Sequence, residues 1–314
     1  MASTNTQSIE ITQLPFAKSF AAHETFAFRH AWLKKGVDNL TADPELFLRE
    51  DAIVTLGVGK NMVRSIRHWC LATRMIEEEP GTRGKHLHPS ELGNRLLNDT
   101  GWDPYLEDEG TLWLLHWNLS CIGTRATTWY WAFNRFYEYA FTRAGMVEAL
   151  TRFVQTVGWN EIAGSSIKRD VDCFVHSYLP RGSSISKIQD PIECPLTGLN
   201  LLVQEPDGDR IRFCIGAKPT LPIGIFAYAL AEYWNCNYPD RKTLEMRQIT
   251  GNEGSPSFIF KLDEESILDY LDQLKNVTGR AMMFEDTVQV RRVVKLSEGL
   301  LDSMSFLENH YAAY

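Results

Sequence analysis

The sequence lacks the features that mark membrane, secreted and disulfide-bonded proteins. In its 314 residues no run of about 18 or more is uniformly apolar, so no transmembrane helix is predicted. The N-terminus has no basic-then-apolar pattern of a secretion signal. The six cysteines form no C-x-x-C pair, and scattered cysteines of this kind are typical of small buried side chains. These absences predict a cytoplasmic globular protein with reduced thiols and no membrane contact.

Common phosphate-binding and nucleophile motifs are also missing. The chain contains no Walker A loop, no G-x-G-x-x-G fingerprint and no G-x-S-x-G elbow. The segment Gly57–Lys60 has a glycine–lysine pair, but it lacks the earlier glycine and the following Ser or Thr of a phosphate loop. A net charge of −8 argues against a protein that binds DNA over its whole surface. It leaves open DNA binding through a local basic surface.

The patterns that are present predict a mainly α fold with small β-hairpins, an α+β class. With 44% hydrophobic and 23% charged residues, the composition is ordinary for a globular chain. In the first third, a helix opening at Pro44 and a short second helix precede a glycine turn at Gly57 and Gly59. A helix from Lys60 to about Thr73, a hairpin and another helix follow. This order predicts an N-terminal winged helix-turn-helix.

The predicted recognition helix, which begins at Lys60, has a basic face. Lys60, Arg64 and Arg67 recur at i, i+4 and i+7, on one side of the helix. Residues 59–88 contain six Lys or Arg and three Glu, a net charge of +3 in an acidic protein. Since such helices lie in the major groove, we predict contacts with double-stranded DNA, the alternative being a solvated basic helix face. The predicted DNA-binding residues, including the wing and the upstream helix, are Arg29, Lys34, Lys35, Lys60, Asn61, Arg64, Arg67, His68, Arg83 and Lys85.

Three domains are predicted along the chain. Residues 1–100 form the winged helix-turn-helix domain. Residues 101–218 form an aromatic centre, predicted to be helical from Asp103 to Tyr139, and a second winged-helix-like module. The second helix of that module carries acids beside its basic residues, so dimerisation or protein contact fits it as well as DNA binding, and a homodimer is left open. Residues 219–314 form a small C-terminal α/β lobe.

The candidate chemistry is a block of four acidic residues within the seven positions from Asp103 to Glu109. Mg²⁺ prefers a few carboxylates with water, and nucleases use such ions to activate water. We predict Asp103, Glu107 and Asp108 as Mg²⁺ ligands, and Asp103, Asp108 and His116 as catalytic residues. The alternative is that these acids stabilise the N-terminus of the next helix.

Several blocks of residues lie along the chain from Phe26 to Leu262. The blocks are Phe26-Ala-Phe-Arg29 with Trp32-Leu33-Lys34, Val58-Gly-Lys-Asn-Met-Val63 with Ile66-Arg67 and Trp69, Asp103-Pro-Tyr-Leu-Glu-Asp108, Thr111-Leu-Trp-Leu-Leu-His116-Trp117, Thr128-Trp129 with Trp131-Ala-Phe-Asn134, Lys168-Arg-Asp-Val-Asp-Cys-Phe174, Cys194-Pro-Leu196, and Ser255-Pro256 with Phe260-Lys-Leu262. Together they resemble a domain-of-unknown-function family that is encoded beside DNA phosphorothioation genes. The similar component is the B protein, a DNA nickase, of the Ssp-type single-stranded phosphorothioation system.

This resemblance implies a part in installing sulfur in the DNA backbone, with anti-phage defence as the outcome. The implied partners are a cysteine desulfurase, an ATPase and an ATP-pyrophosphatase-like enzyme. Magnesium is the implied ion of the nickase, but the resemblance assigns no catalytic residue to this chain.

Three functions are therefore open at this point. The first is a DNA-binding and DNA-nicking subunit of phosphorothioate modification. The second is a non-enzymatic adaptor that presents DNA to the sulfur-transfer enzymes, which the weak catalytic signal favours. The third is a winged-helix transcriptional regulator, which would show an operator-like sequence preference.

Overall fold

The predicted fold class, mainly α with small β-hairpins, is confirmed. In a computed structural model of the chain, residues 14–180, 193–206 and 208–313 are described. Within these ranges the chain forms thirteen α-helices, two 3₁₀ helices and eight strands in three small antiparallel sheets. One connected cluster of buried apolar side chains extends from Phe28 to Tyr311. Because this core is shared, the division at residues 100 and 218 stays a prediction.

The N-terminal part follows the predicted order of helices and hairpin. Gly57 ends the second helix with a φ of 63°, a left-handed conformation that glycine adopts without steric cost, and the chain turns there into the third helix. Pro44 begins no regular α-helix; its carbonyl accepts a hydrogen bond from the amide of Leu87 at 3.0 Å. The elements are α1 (His30–Ala42), a 3₁₀ helix (Leu46–Leu48), α2 (Ala52–Leu56), α3 (Lys60–Ala72), β1 (Ile76–Glu78), β2 (Leu87–Pro89) and α4 (Glu91–Leu97).

Two apolar helices form the centre, α5 (Glu109–Ser120) and α6 (Thr127–Asn134). Every residue of α6 is buried, as is every residue of α5 after Glu109, so both helices lie within the core. The prediction of helix from Asp103 to Tyr139 is wrong before Glu109, between Ser120 and Thr127, and beyond Asn134. Tyr137 and Tyr139 are exposed there, and the chain turns into a strand because these residues have no core to pack against.

The middle part joins this centre to a three-stranded sheet. The strand order is β3-β5-β4, with Phe141 opposite Ile211. The two helices and the hairpin are compatible with the predicted second winged-helix-like module. Residues 182–184, which the sequence pattern predicts as a surface loop, lie outside the described residues. The elements are β3 (Ala140–Thr142), α7 (Arg143–Thr156), α8 (Gly164–Tyr178), a 3₁₀ helix (Pro195–Leu199), β4 (Leu202–Gln204) and β5 (Arg210–Phe213).

The C-terminal part is a second three-stranded sheet covered by helices. Asp263 caps its long helix through the Ser266 amide at 3.0 Å, and the acids Glu264 and Glu265 in the first turn suit the N-terminus of the helix. The sheet order is β6-β8-β7. The elements are α9 (Ile223–Asn237), β6 (Thr243–Glu245), α10 (Met246–Thr250), α11 (Pro256–Phe260), α12 (Glu264–Val277), β7 (Met282–Asp286), β8 (Arg291–Lys295) and α13 (Ser303–Tyr311).

The two three-stranded sheets share one connectivity. In each, the strand before the helices pairs with the last strand of the hairpin, so β3 pairs with β5 and β6 pairs with β8. At the N-terminus, the amide of Leu87 on β2 instead bonds to the carbonyl of Pro44, which lies in the turn before the 3₁₀ helix. The arrangement is compatible with three winged-helix modules in tandem, all joined by the central helices.

Candidate nucleic-acid interface

Helix α3 has one buried face and one exposed basic end. Val63, Ile66 and Trp69 are buried and fix the helix on the core. Lys60 and Arg64 are exposed near its N-terminal end, together with Asn61. This is the end from which a recognition helix contacts base edges. The structure therefore leaves three of the predicted DNA-binding side chains available to a partner.

The turn between β1 and β2 adds basic side chains next to this helix. Arg83 and Lys85 are both exposed in that turn. Between them, Gly84 has a φ of 73°, and its carbonyl accepts a hydrogen bond from Nη2 of Arg67 at 3.2 Å. Since Arg67 belongs to α3, this bond ties the turn to the helix. Lys60, Asn61, Arg64, Arg83 and Lys85 are hereafter the basic surface.

His68 lies inside the protein rather than on the basic surface. Only 9% of the residue is exposed, and its ring packs against Trp69 with centroids 5.1 Å apart. Burial, with the nearby charges of His23, Arg67 and Arg125 acting in the same direction, lowers the pKa of His68 to about 3. The imidazole is therefore neutral at physiological pH. The sequence pattern predicted His68 as an exposed DNA contact, because it carries no sign that this side of α3 packs against other aromatic side chains.

The basic residues upstream of α3 have structural partners. Nζ of Lys34 lies 2.7 Å from a carboxylate oxygen of Asp99 and 3.1 Å from the carbonyl of Leu97, which holds α1 beside α4. Lys35 donates to the carbonyl of Leu56 at 3.1 Å, at the end of α2. The guanidinium of Arg29 lies over the Trp32 ring at 5.1 Å. These three predicted DNA contacts have an adequate explanation within the fold, so the basic surface does not include them.

A cleft of about 630 Å³ lies beside α3, between the helix, the N-terminal segment and the loop that follows α5. On one side, Nη1 of Arg64 is 3.2 Å from Oε1 of Glu24. On another, Arg125 binds both carboxylate oxygens of Glu78 at 2.9 Å, and Arg67 contacts the same carboxylate at 3.4 Å. The charged and imidazole side chains of this α3 cleft are Lys18, Glu24, Arg64, Arg67, His68 and Arg125.

Sequence reasoning missed Arg125 and Glu78. No local pattern joins Arg125, which follows the central helix α5, to helix α3. Only the packing of α3 against the centre brings the two arginines onto one carboxylate. Burial lowers the pKa of Arg67, with the charge of Arg125 acting in the same direction and Glu78 opposing it. Positive charge is thus concentrated at this point of the surface.

The predicted catalytic Asp108 caps helix α5. Its Oδ1 accepts a hydrogen bond from the Gly110 amide at 2.7 Å, and its Oδ2 lies 3.0 Å from Nε2 of His310. Burial alone would raise the pKa of Asp108, but the bonds from His310 and Gly110 outweigh this and lower it. This geometry fits the alternative interpretation, an acid that stabilises a helix N-terminus.

Asp103 is also engaged within the chain. It is 6% exposed, and its two oxygens accept the amides of Glu107 at 2.8 Å and Asp108 at 3.0 Å. These acids border a cleft of about 600 Å³, in which Glu107 and Glu109 are the exposed carboxylates. Among the residues that the structure describes, no three His, Cys, Asp or Glu side chains group to hold a metal ion. The acidic block therefore does not fit the predicted magnesium site.

His116 makes no contact with the acidic block. It is fully buried, with Nδ1 2.8 Å from the Tyr178 hydroxyl and Nε2 2.9 Å from the carbonyl of Ile259. Burial lowers the pKa of His116 to about 3, although the Ile259 carbonyl partly opposes the effect. The structure does not bring this histidine to Asp103 or Asp108, because α5 is buried all round and directs it into the core.

Comparisons with known proteins agree with the resemblance seen in the sequence. None of the helices in the described ranges combines the length and apolar character needed to cross a membrane. A comparison with curated proteins gave no match. Two solved structures, a crystal structure of SspB and a magnesium ion-bound crystal structure of SspB, are similar. Each is 31% identical, with a TM-score of 0.86 over 95% of this chain and 89% of that chain. Residues 20–311 match the family described as protein of unknown function (DUF4007), and the chain therefore belongs to that family.

Proposed function

We propose that this chain is a DNA-binding subunit of a DNA phosphorothioate modification and anti-phage defence system. The observation that carries the proposal is the basic surface, which places Lys60, Asn61 and Arg64 at the exposed end of α3 beside Arg83 and Lys85. It stands out on a chain of net charge −8. Similarity to SspB along almost the whole chain, together with the sequence resemblance, supports the assignment to this system.

The basic surface would bind duplex DNA in two ways. The exposed end of α3 enters the major groove, where Asn61 and Arg64 reach base edges. Arg83 and Lys85 contact the phosphates beside the groove and fix the position of the helix. A cysteine desulfurase, an ATPase and an ATP-pyrophosphatase-like enzyme are the proposed partners, which act on the DNA that this chain holds.

A more specific version of the proposal is that this subunit also nicks DNA with Mg²⁺. The magnesium ion-bound structure of SspB supports this version. We assign no step to the ion in this chain, because Asp103 and Asp108 serve the backbone and the helix cap. His116 is equally committed to the core. The same observations favour a second candidate function, an adaptor that presents DNA to the sulfur-transfer enzymes without cutting it.

Duplex binding by charge-reversed variants tests the DNA-binding proposal. Lys60→Glu with Lys85→Glu should weaken binding about tenfold or more at about 0.1 M salt and lower the slope of log affinity against log salt by about 2. The control, Arg247→Glu with Lys275→Glu, makes the same charge change at exposed positions of α10 and α12. Equal binding by the two double variants would show that the basic surface does not bind DNA.

Incubation of the purified protein with supercoiled plasmid separates the two forms of the proposal. An open-circle product that appears with magnesium and disappears with a chelator supports the nickase. Retarded duplex without strand breaks supports the adaptor. Asp103→Ala and Asp108→Ala are informative in the first case only if circular dichroism shows that the variants remain folded, because both side chains stabilise the chain locally.

A further inference from the structure

The α3 cleft contains more cationic side chains than its internal pairings require. Its wall carries Lys18, Arg64, Arg67 and Arg125 against a single acid, Glu24. Glu24 pairs with Arg64, and the other three cations pair with carboxylates that do not line the cleft. Lys18 contacts Glu161, and Arg67 and Arg125 share one carboxylate, that of Glu78. Two guanidinium groups that share one carboxylate have a net charge of +1. The shared carboxylate fixes the position of this positive charge.

A buried polar atom without a partner lies in the same wall. Nε2 of His68 is covered and has no hydrogen-bond partner among the described residues. Such groups are rare in folded proteins, because an unpaired buried donor or acceptor costs free energy. Arg67 precedes His68 on α3, and both side chains line the cleft. An anion that enters between the arginines would give this imidazole a partner.

We propose that the α3 cleft binds a phosphate group, held by Arg67 and Arg125 and completed by His68. Phosphate suits the site, since planar guanidinium groups bind its oxygens in pairs and a neutral imidazole donates one further hydrogen bond. The volume of about 630 Å³ admits a phosphodiester with its sugar. Arg64 belongs both to the cleft and to the basic surface. The source of the phosphate is therefore the backbone of bound DNA, a step that rests on the proposed function.

Titration with inorganic phosphate tests the site without DNA. Wild-type protein should gain thermal stability with phosphate in a saturable way, above a sodium chloride series of equal ionic strength. Arg125→Gln should weaken this response about tenfold or more. Arg247→Gln, the same change on α10 outside the cleft, should keep it. A wild-type response no larger than that of chloride overturns the proposal, whatever the result with DNA.

His68→Phe separates a ligand-binding role from a packing role. Phenylalanine keeps the aromatic packing against Trp69 and removes the unpaired nitrogen, so the variant should be as stable as wild type, or more stable, without phosphate. Its response to phosphate should nevertheless fall severalfold. A variant that loses stability but keeps the phosphate response would show that His68 serves packing alone, and would overturn its place in the site.

Competition with a short duplex identifies the source of the phosphate. Phosphate should lower the affinity of the wild-type protein for duplex more than chloride of equal ionic strength does, and the difference should vanish in Arg125→Gln. Lys60→Glu with Lys85→Glu should keep the phosphate response while it loses duplex binding, so failure of the proposed function is visible by itself. Absence of competition in the wild type would overturn the assignment to the DNA backbone.

Discussion

Nε2 of His310 lies 3.0 Å from Oδ2 of Asp108, although the two residues are 202 positions apart. This contact joins the last helix, α13, to the cap of the central helix α5. The cap residue belongs to the acidic block that the sequence suggested as a metal site. Its carboxylate instead holds two parts of the fold together.

The charge of Asp108 should contribute to stability in a pH-dependent way. Its pKa lies below the ordinary 3.8, mainly because the bonds from His310 and Gly110 overcome the effect of burial. A carboxylate with a lowered pKa stabilises the fold above its unfolded pKa, and that contribution is lost as pH falls through the lowered value. Asp108→Asn keeps the cap, since Asn also caps helices, but removes the charge.

Wild type should therefore be more stable than Asp108→Asn at about pH 6, and the difference should narrow as pH falls from about 4 through the lowered pKa of Asp108. Asp108→Ala should lose about 0.5–2 kcal/mol at neutral pH because the cap is also removed. Urea unfolding across this pH range measures both effects. Asp302→Asn, which alters the cap of α13 at the Ser305 amide, is the matched control. A constant difference at every pH would contradict the role of the charge.

Buried His116 should make the protein less stable in mild acid. Burial lowers its pKa from 6.5 to about 3. Below about pH 6.5 the unfolded chain takes up a proton that the folded chain refuses until about pH 3, so stability falls across this window. His116→Gln should reduce the slope of unfolding free energy against pH by up to about 1.4 kcal/mol per pH unit.

Denaturant unfolding at about pH 7.5 and pH 5 measures this slope. At about pH 7.5, His116→Gln should be less stable than wild type, because it disturbs the hydrogen bonds to Tyr178 and Ile259. At about pH 5, the difference in unfolding free energy between the two proteins should be smaller. His88→Gln, at a half-exposed position on β2, should change the slope less. An unchanged slope in His116→Gln would show that this histidine is not held neutral by the core.

Gly93 permits the close approach of α4 to the chain that enters β1. A Cβ at this position would lie 1.9 Å from the carbonyl oxygen of Met75, which is backbone and cannot turn aside. Gly93→Ala should therefore lower the free energy of unfolding by about 1–3 kcal/mol or more. Gly164→Ala, at the start of α8 where nothing lies within 4 Å, should be close to neutral. Thermal unfolding of the two variants makes the comparison, and equal melting temperatures would contradict it.

Much of the N-terminal fold was predictable because its signals are local. The glycine turn at Gly57 and the helical spacing after Lys60 each depend on residues close in sequence. The structure places the corresponding elements where these signals indicate. The exposure of the α3 residues of the basic surface was predictable from the same periodicity, since the opposite face of α3 is apolar.

The roles of individual side chains were less predictable. His68 and Lys34 fit a basic helix pattern, yet one is buried beside Trp69 and the other holds α1 to Asp99. His116 and Asp108 fit a catalytic pattern, yet they serve the core and a helix cap. In each case the partner lies on another element, and periodicity carries no information about which elements meet.

The sequence by itself determined the class of the fold, the position of helix α3 and the family, because propensity, turn chemistry and recurring blocks depend on contiguous residues. The tertiary structure alone decided that the two three-stranded sheets share one connectivity and that Arg67 and Arg125 meet at Glu78. It also decided which charged residues face solvent. These features depend on contacts between distant segments, which form only when the apolar faces of the helices pack into one core.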